Sequence, residues 1–114
     1  MAYRPFRFGV IAYRTGSKEE WTVKARRVEQ LGYTTLLVPD HFGEQFAPIP
    51  ALLAAAEATT TLRVGSYVLD NDFRHPAMLA KEAATLDHLS GGRFELGVGA
   101  VFDLAKSTDD TLGL

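Results

Sequence analysis

Apolar residues gather in four short blocks along the chain: FRFGVIA (6–12), TTLLVP (34–39), LRVGSYVL (62–69) and RFELGVGA (93–100). Each has the length and the β-branched and aromatic content of a strand. Their starts are spaced by 28, 28 and 31 residues. The second block is apolar at three successive positions, Leu36, Leu37 and Val38. That is the pattern of a parallel strand covered on both faces.

The three intervening segments carry helical spacing instead. In the first, Trp21, Ala25, Val28 and Gly32 fall on one face, and Leu31 extends the stripe. Ser17 followed by Glu20 fits a capping box, in which the serine accepts from the third helical amide and the glutamate reaches back. Gly32 is placed to close that helix in a left-handed conformation. The second segment is alanine-rich and reads as a helix over 50–59, with Pro50 in its first turn. Its small side chains let the backbone lie close to a sheet. The third opens at Pro76, places Leu79, Ala83 and Leu86 on one face, and stops at Ser90-Gly91-Gly92. The tail, VFDLAKSTDDTLGL (101–114), is polar and weakly periodic, and reads as a helical turn or two.

Strand and helix therefore alternate as βαβαβαβ, which predicts an α/β fold with a parallel sheet. At 114 residues the chain is expected to be a single domain, 1–114. It is 46% hydrophobic and 23% charged, an ordinary globular balance, and its net charge of −2 offers no basic face for nucleic acid or an anionic membrane. Cysteine is absent, which removes disulfides, thiol catalysis and thiolate metal sites. The opening MAYRPFRFGV is interrupted by arginines and a glycine and does not read as a signal peptide. No apolar stretch approaches the roughly 20 residues that span a bilayer. A cytoplasmic location is the expectation.

Parallel α/β folds bind ligands outside the C-terminal ends of their strands. That rule selects Tyr13 to Thr15, Asp40 to Phe46, Asp70 to His75 and Gly97 to Val101. His41 could exchange a proton near neutral pH, or be a loop residue beside a turn-closing Asp40. In DNDFRHP, Arg74 could pair with a phosphate or a carboxylate. Asp70 and Asn71 could bond their own turn amides, and His75 could cap the helix that Pro76 opens. Asp70, Asp72 and His75 match no established metal-ligand spacing, and no metal is expected. Gly97 and Gly99 would allow close backbone approach by a ligand, yet the third glycine of a dinucleotide fingerprint is lacking. His88, near a helix C-terminus, reads as structural. The residues alone thus reach a parallel α/β unit with a polar rim.

The segments FRFGV, ARRVEQLGYTTLLVPDHFG and TTLRVGSYVLDNDFRHPAMLAKEAATLDHLSGGRFELGVGA together resemble the N-terminal part of the luciferase-like monooxygenase superfamily, and most closely its deazaflavin-dependent branch. The likeness covers about residues 6–100, and RHP followed by LAKEAATLDHLSGGRFELGVGA is its most specific part. The resemblance implies the first half of a (β/α)8 TIM barrel, a fold of about 250 residues. It implies hydride transfer or monooxygenation of a small-molecule substrate, with the deazaflavin coenzyme F420, or alternatively FMN, at the barrel mouth. Asp40 and His41 match the Asp-His pair that lines the cofactor site and would serve proton transfer. Tyr67, Val68 and Leu69 match a bulge that carries a non-proline cis peptide behind the ring, leading into Asp70 and Asn71. Gly97, Gly99 and Ala100 border the same site.

The resemblance also defines departures. After GVGA the family continues differently from Val101-Phe102-Asp103, and residues 101–114 diverge. Strands five to eight, with the loops that hold the phosphate tail, are not in this sequence. Four barrel strands leave two open edges and an apolar inner face, which favour association. A homo-oligomer is therefore expected. The alternative to an oxidoreductase is a non-catalytic half-barrel that self-associates or binds a cofactor without turnover.

Overall fold

The computed structural model of the chain describes residues 5–14 and 16–100. The elements run β1 (Gly9–Ile11), α1 (Lys18–Gln30), β2 (Thr35–Val38), α2 (Pro48–Glu57), β3 (Arg63–Ser66), β4 (Leu69–Asp70), a 3₁₀ turn (Asn71–Phe73), α3 (Pro76–Leu89), β5 (Phe94–Glu95) and β6 (Val98–Gly99). β1, β2, β3 and β5 form one sheet in that order, β4 and β6 pair separately, and every pairing is parallel. This is the expected α/β alternation. Thr15 and the turn expected in 101–114 lie outside the described residues.

Two of the four expected strands are broken. The block 62–69 divides at Ser66 and resumes at Leu69, with a cis peptide between Tyr67 and Val68. The block 93–100 divides at Leu96 and Gly97 in step with it, because Leu69 pairs with Val98 as Val64 pairs with Phe94. The second helix begins at Pro48 rather than Pro50. Ala47 is extended, as a residue before proline prefers, and both prolines fall in the first turn, where no helical acceptor awaits an N–H.

Helix ends follow the local chemistry. Ser17 Oγ accepts from the Glu20 amide at 3.0 Å. α1 closes with Gly32 at φ +88°, where the Gly32 amide donates to Glu29 and the Tyr33 amide to Val28. α3 closes in the same way, through Gly91 donating to His88 and Gly92 to Asp87. This paired pattern satisfies carbonyls that a helix end leaves free. Among the described residues no helix is long and apolar enough to cross a membrane.

The core lies between the sheet and the helices. Trp21, Ala25 and Val28 of α1, Ala51, Leu52, Ala55 and Ala56 of α2, and Leu86 of α3 pack against Leu36, Val38 and Val64. Side chains alternate across a strand, so Ile11, Leu37, Gly65 and Glu95, which share one register row, face the other way. There Leu37 is only half-buried and Ile11 is exposed, so β2 is not covered on both faces as its apolar run predicts. The same open face carries an ion cluster in which Glu95 Oε1 takes both Arg63 and Arg7. Burial would raise the Glu95 carboxyl, but the two guanidiniums outweigh it and hold it below its ordinary value.

Two side chains tie the end of the sheet remote from the rim. Arg93 donates to the carbonyls of Ser90, Leu62 and Ala56 and to Thr59 Oγ1, at 2.7 to 3.1 Å. Glu29 Oε2 accepts from the amides of Thr60, Thr61 and Leu62 at 2.8 to 3.0 Å. Burial would raise the Glu29 carboxyl, but these amides prevail and lower it from 4.5.

A lowered carboxylate stabilises the fold fully above its unfolded value and loses that contribution as pH falls through the folded value. Glu29→Gln should therefore cost about 1 kcal/mol near neutral pH, the scale of hydrogen bonds to a partly solvated charge. The deficit should shrink as pH drops below 4.5. Urea midpoints of both proteins across that range measure it, and a deficit that grows in acid would contradict the assignment.

Candidate functional site

The C-terminal ends of the strands converge on one rim, and Asp40 organises it. Pro39 follows β2 and is buried, which delivers Asp40 beside the end of β3. Asp40 Oδ2 accepts the Asp70 amide at 2.8 Å and forms an ion pair with Arg74. Their side chains are 14% and 20% exposed, so the pair is shielded from solvent screening. Arg74 also reaches the Asp70 carbonyl at 3.4 Å. Of the two partners open to Arg74 in the sequence, phosphate or carboxylate, the fold supplies the carboxylate.

Asp70 does not close its own turn as expected. It precedes the 3₁₀ turn without a side-chain cap and is itself buried. Burial raises its carboxyl above 3.8, and the nearby Asp40 charge adds to this, against the opposing pull of His41 and Arg74. Asn71 begins the turn and is exposed. His75 Nδ1 accepts from the Ala77 amide at 3.1 Å, so this histidine is a helix cap. Among the described residues no group of three or more His, Asp or Glu side chains is placed to hold a metal ion.

The broken strand forms the second part of the rim. The cis peptide lies between Tyr67 and Val68, inside the stretch Tyr67 to Leu69 singled out from the sequence. Ser66 Oγ donates to the Gly97 carbonyl at 2.8 Å and accepts the Gly97 amide at 2.9 Å. The Leu69 amide donates to the same carbonyl. A Cβ on Gly97 would sit 2.3 Å from the Ser66 carbonyl oxygen, and one on Gly99 would sit 2.6 Å from a Val68 methyl. The close approach that these glycines permit is thus made by the neighbouring strand, with Val68 lying over both. Tyr67 and Val68 themselves are 58% and 37% exposed. Ala100, at the end of the described residues, is also exposed.

His41 is exposed beside Asp40, on a loop held by Gln45, whose side-chain amide donates to the Pro39 carbonyl at 2.8 Å. An isolated antiparallel bridge from Gln45 to Arg14 ties in the first loop. Next to His41, Phe42 meets Phe73 edge-to-face at 5.2 Å. Asp40, His41, Phe42, Gln45, Phe73 and Arg74 help line a cavity of about 340 Å³. The Ser66 link and the Phe42–Phe73 pair escaped the sequence reading. The ordinary strand pattern hid Ser66, and the phenylalanines lie 31 positions apart in the sequence.

The sequence model of a family described as luciferase-like monooxygenase matches residues 5–108. The chain is 38% identical over 96 residues to a 4-hydroxyprotoasukamycin monooxygenase of Streptomyces nodosus subsp. asukaensis, which covers 81% of this chain and 24% of that protein. Among solved structures it is similar to a coenzyme F420-dependent tetrahydromethanopterin reductase from Methanopyrus kandleri. That likeness has a TM-score of 0.80 at 27% identity, over 95% of this chain and 30% of that one. An FMN complex of the oxygenating constituent of 3,6-diketocamphane monooxygenase from Pseudomonas putida shares the fold, with a TM-score of 0.73 at 20% identity, over 90% and 32%. The chain spans about a quarter of the length of the curated relative and under a third of the barrel reductase.

Two substitutions test this rim. Gly97→Ala should destabilise the chain by about 1–3 kcal/mol, the cost of forcing an atom into a packed site, here against main chain. An unchanged urea midpoint would contradict it. The raised Asp70 carboxyl contributes stability below its unfolded value of 3.8 that is lost as pH rises through the folded value. Asp70→Asn should therefore be more stable than the parent at neutral pH, and the gain should disappear in acid. A gain that instead grows in acid would reverse the sign and sink the assignment.

Proposed function

Because the chain belongs to the luciferase-like monooxygenase family, we propose that its rim is the cofactor-facing wall of a flavin- or deazaflavin-dependent oxidoreductase site. The observation that carries this reading is the Asp40 carboxylate, which binds the Asp70 amide and Arg74 together and so sets His41 and the Tyr67–Asn71 segment on one rim. Coenzyme F420 is the favoured cofactor, in keeping with the F420-dependent reductase at TM-score 0.80, and FMN is the alternative.

The residues present fit a ring. Tyr67 and Val68 form an exposed apolar ledge, and Val68 is propped from beneath by the Cβ-free backbone at Gly97 and Gly99. Asp70, Asn71 and Ala100 flank it. A phosphate tail would need a further cation, since the charge of Arg74 is offset by Asp40. When bound, a deazaflavin or flavin supplies hydride or oxygen chemistry at its ring. The chain's own residues do the rest: the ledge orients the ring and excludes water from one face. His41 holds or accepts a proton at an imidazole nitrogen, and Asp40 anchors the loop that carries it. A small-molecule substrate and a cytoplasmic setting complete this reading, the latter in line with a chain free of cysteine.

A second reading has its own support. Ile11 and Val98 on the strands, and Leu96 between β5 and β6, are each 44–50% exposed, and the outer edges of β1 and β5 are unpaired among the described residues. Such surfaces favour a homo-oligomer, and with it a non-catalytic half-barrel that self-associates or binds a cofactor without turnover.

Titration with F420 and with FMN, read by their fluorescence, separates the two readings. The first expects F420 to bind more tightly than about 1 mM, or −4 kcal/mol. His41→Ala should then keep that binding while turnover falls by about 10²-fold or more. Absence of binding by both cofactors would leave the oligomeric half-barrel, which light scattering would register as a concentration-dependent mass.

A further inference from the structure

The two aromatic edge-to-face pairs differ in a way that concerns ligand choice. Trp21 and Phe46 meet at 5.4 Å, but Trp21 is buried and its Nε1 donates to the Ala51 carbonyl at 2.9 Å. That pair is packing, complete within the fold. Phe42 and Phe73 meet at 5.2 Å and 77°, and they stay 58% and 38% exposed. They stand on different loops, one directly after His41 and the other directly before Arg74. An edge-to-face contact leaves ring faces uncovered, and uncovered aromatic faces at a cavity mouth are surfaces for a planar apolar partner.

Charge narrows the choice. Among the residues lining this cavity, Arg74 is the only Lys or Arg. Its guanidinium is already paired with Asp40, in a pair that also holds the Asp70 amide. An anion that reached Arg74 through its remaining N–H donors would meet a charge already offset by Asp40 and would have that carboxylate as a like-charged neighbour. The cavity volume of about 340 Å³ falls at the lower end of small-molecule pockets.

We propose that the cavity beside His41 takes a neutral planar aromatic compound, such as a hydroxyarene, as the substrate of the site, and rejects sugar phosphates, with Phe42 and Phe73 as its specificity-determining walls. The proposal deepens the oxidoreductase reading and rests on it for the word substrate. The aromatic ring stacks on the phenylalanines, and its hydroxyl lies within the compass of His41.

The test uses 2-naphthol and glucose 6-phosphate as probes, with the side-chain NMR signals of Phe42, Phe73 and His41 as the readout. 2-Naphthol should shift all three sets, and glucose 6-phosphate should shift none. Phe42→Ala and Phe73→Ala should each weaken 2-naphthol binding by about tenfold, the scale of one aromatic contact, and Phe42→Trp should retain it. Both phenylalanines are exposed, so a urea midpoint close to the parent's is expected for the variants. Failure of 2-naphthol to bind, binding that ignores the alanine substitutions, or shifts produced by glucose 6-phosphate would each overturn the proposal. The cofactor titration reads the underlying function separately. Naphthol binding without F420 or FMN binding would uphold the cavity's selectivity and sink the oxidoreductase reading. Cofactor binding without naphthol binding would do the reverse.

Discussion

The rim depends on one carboxylate. Asp40 Oδ2 receives the Asp70 amide from the third strand's continuation and the Arg74 guanidinium from the turn beyond it. The acceptor belongs to the loop after β2, so the contact fixes two consecutive βα loops relative to each other. His41, Phe42, the Tyr67–Val68 ledge and Phe73 inherit their positions from it. A charge held at this depth is stabilising only with its partners in place. Burial drives Asp70 towards its neutral form, and the Asp40 carboxylate in the same shielded volume adds to that push.

The sheet shows two contrasting faces. Under the helices, Leu36, Val38 and Val64 are fully buried among alanine-rich surfaces. On the opposite face, glycines at positions 9 and 65 and the Arg7–Glu95–Arg63 cluster stand where an ordinary core would place aliphatic side chains. Gly65 is not free to change, since a Cβ there would lie 2.9 Å from the Glu95 carbonyl oxygen. Two arginines against one glutamate leave a surplus positive charge on that face. Any surface that closes over it has to supply an acceptor or accept the desolvation cost.

Much of the architecture could be read from spacing, and the reasons for the misses are local. Alternating blocks and the glycines after α1 and α3 located the elements because those signals arise within a few residues of the structure they specify. The break in the third strand lacked such a signal in propensity, since SYVL is as good a strand as any; only the family likeness pointed to Tyr67–Leu69. The start of α2 was displaced because two prolines compete for one helix terminus, and the first compatible one wins. The rim was selected by a topological rule, but its wiring was not, because Asp40, Asp70 and Arg74 meet across a sequence separation of up to 34 residues. The same holds for Glu29 and, Ser90 aside, for Arg93, whose partners lie more than 30 residues away.

In the main sheet each strand lies beside the one that precedes it in the chain, β1 next to β2, β2 next to β3 and β3 next to β5. Among the described residues, each strand of the main sheet after β1 therefore finds its neighbour already made when it leaves the ribosome. Assembly can then follow synthesis unit by unit, with each parallel pairing closing across one helix and so more slowly than a hairpin. The Glu29 and Arg93 anchors then act as checkpoints. Glu29 receives the segment leading into β3 as soon as Thr60 to Leu62 have emerged, and Arg93 joins α2, that segment and the end of α3 only as β5 begins.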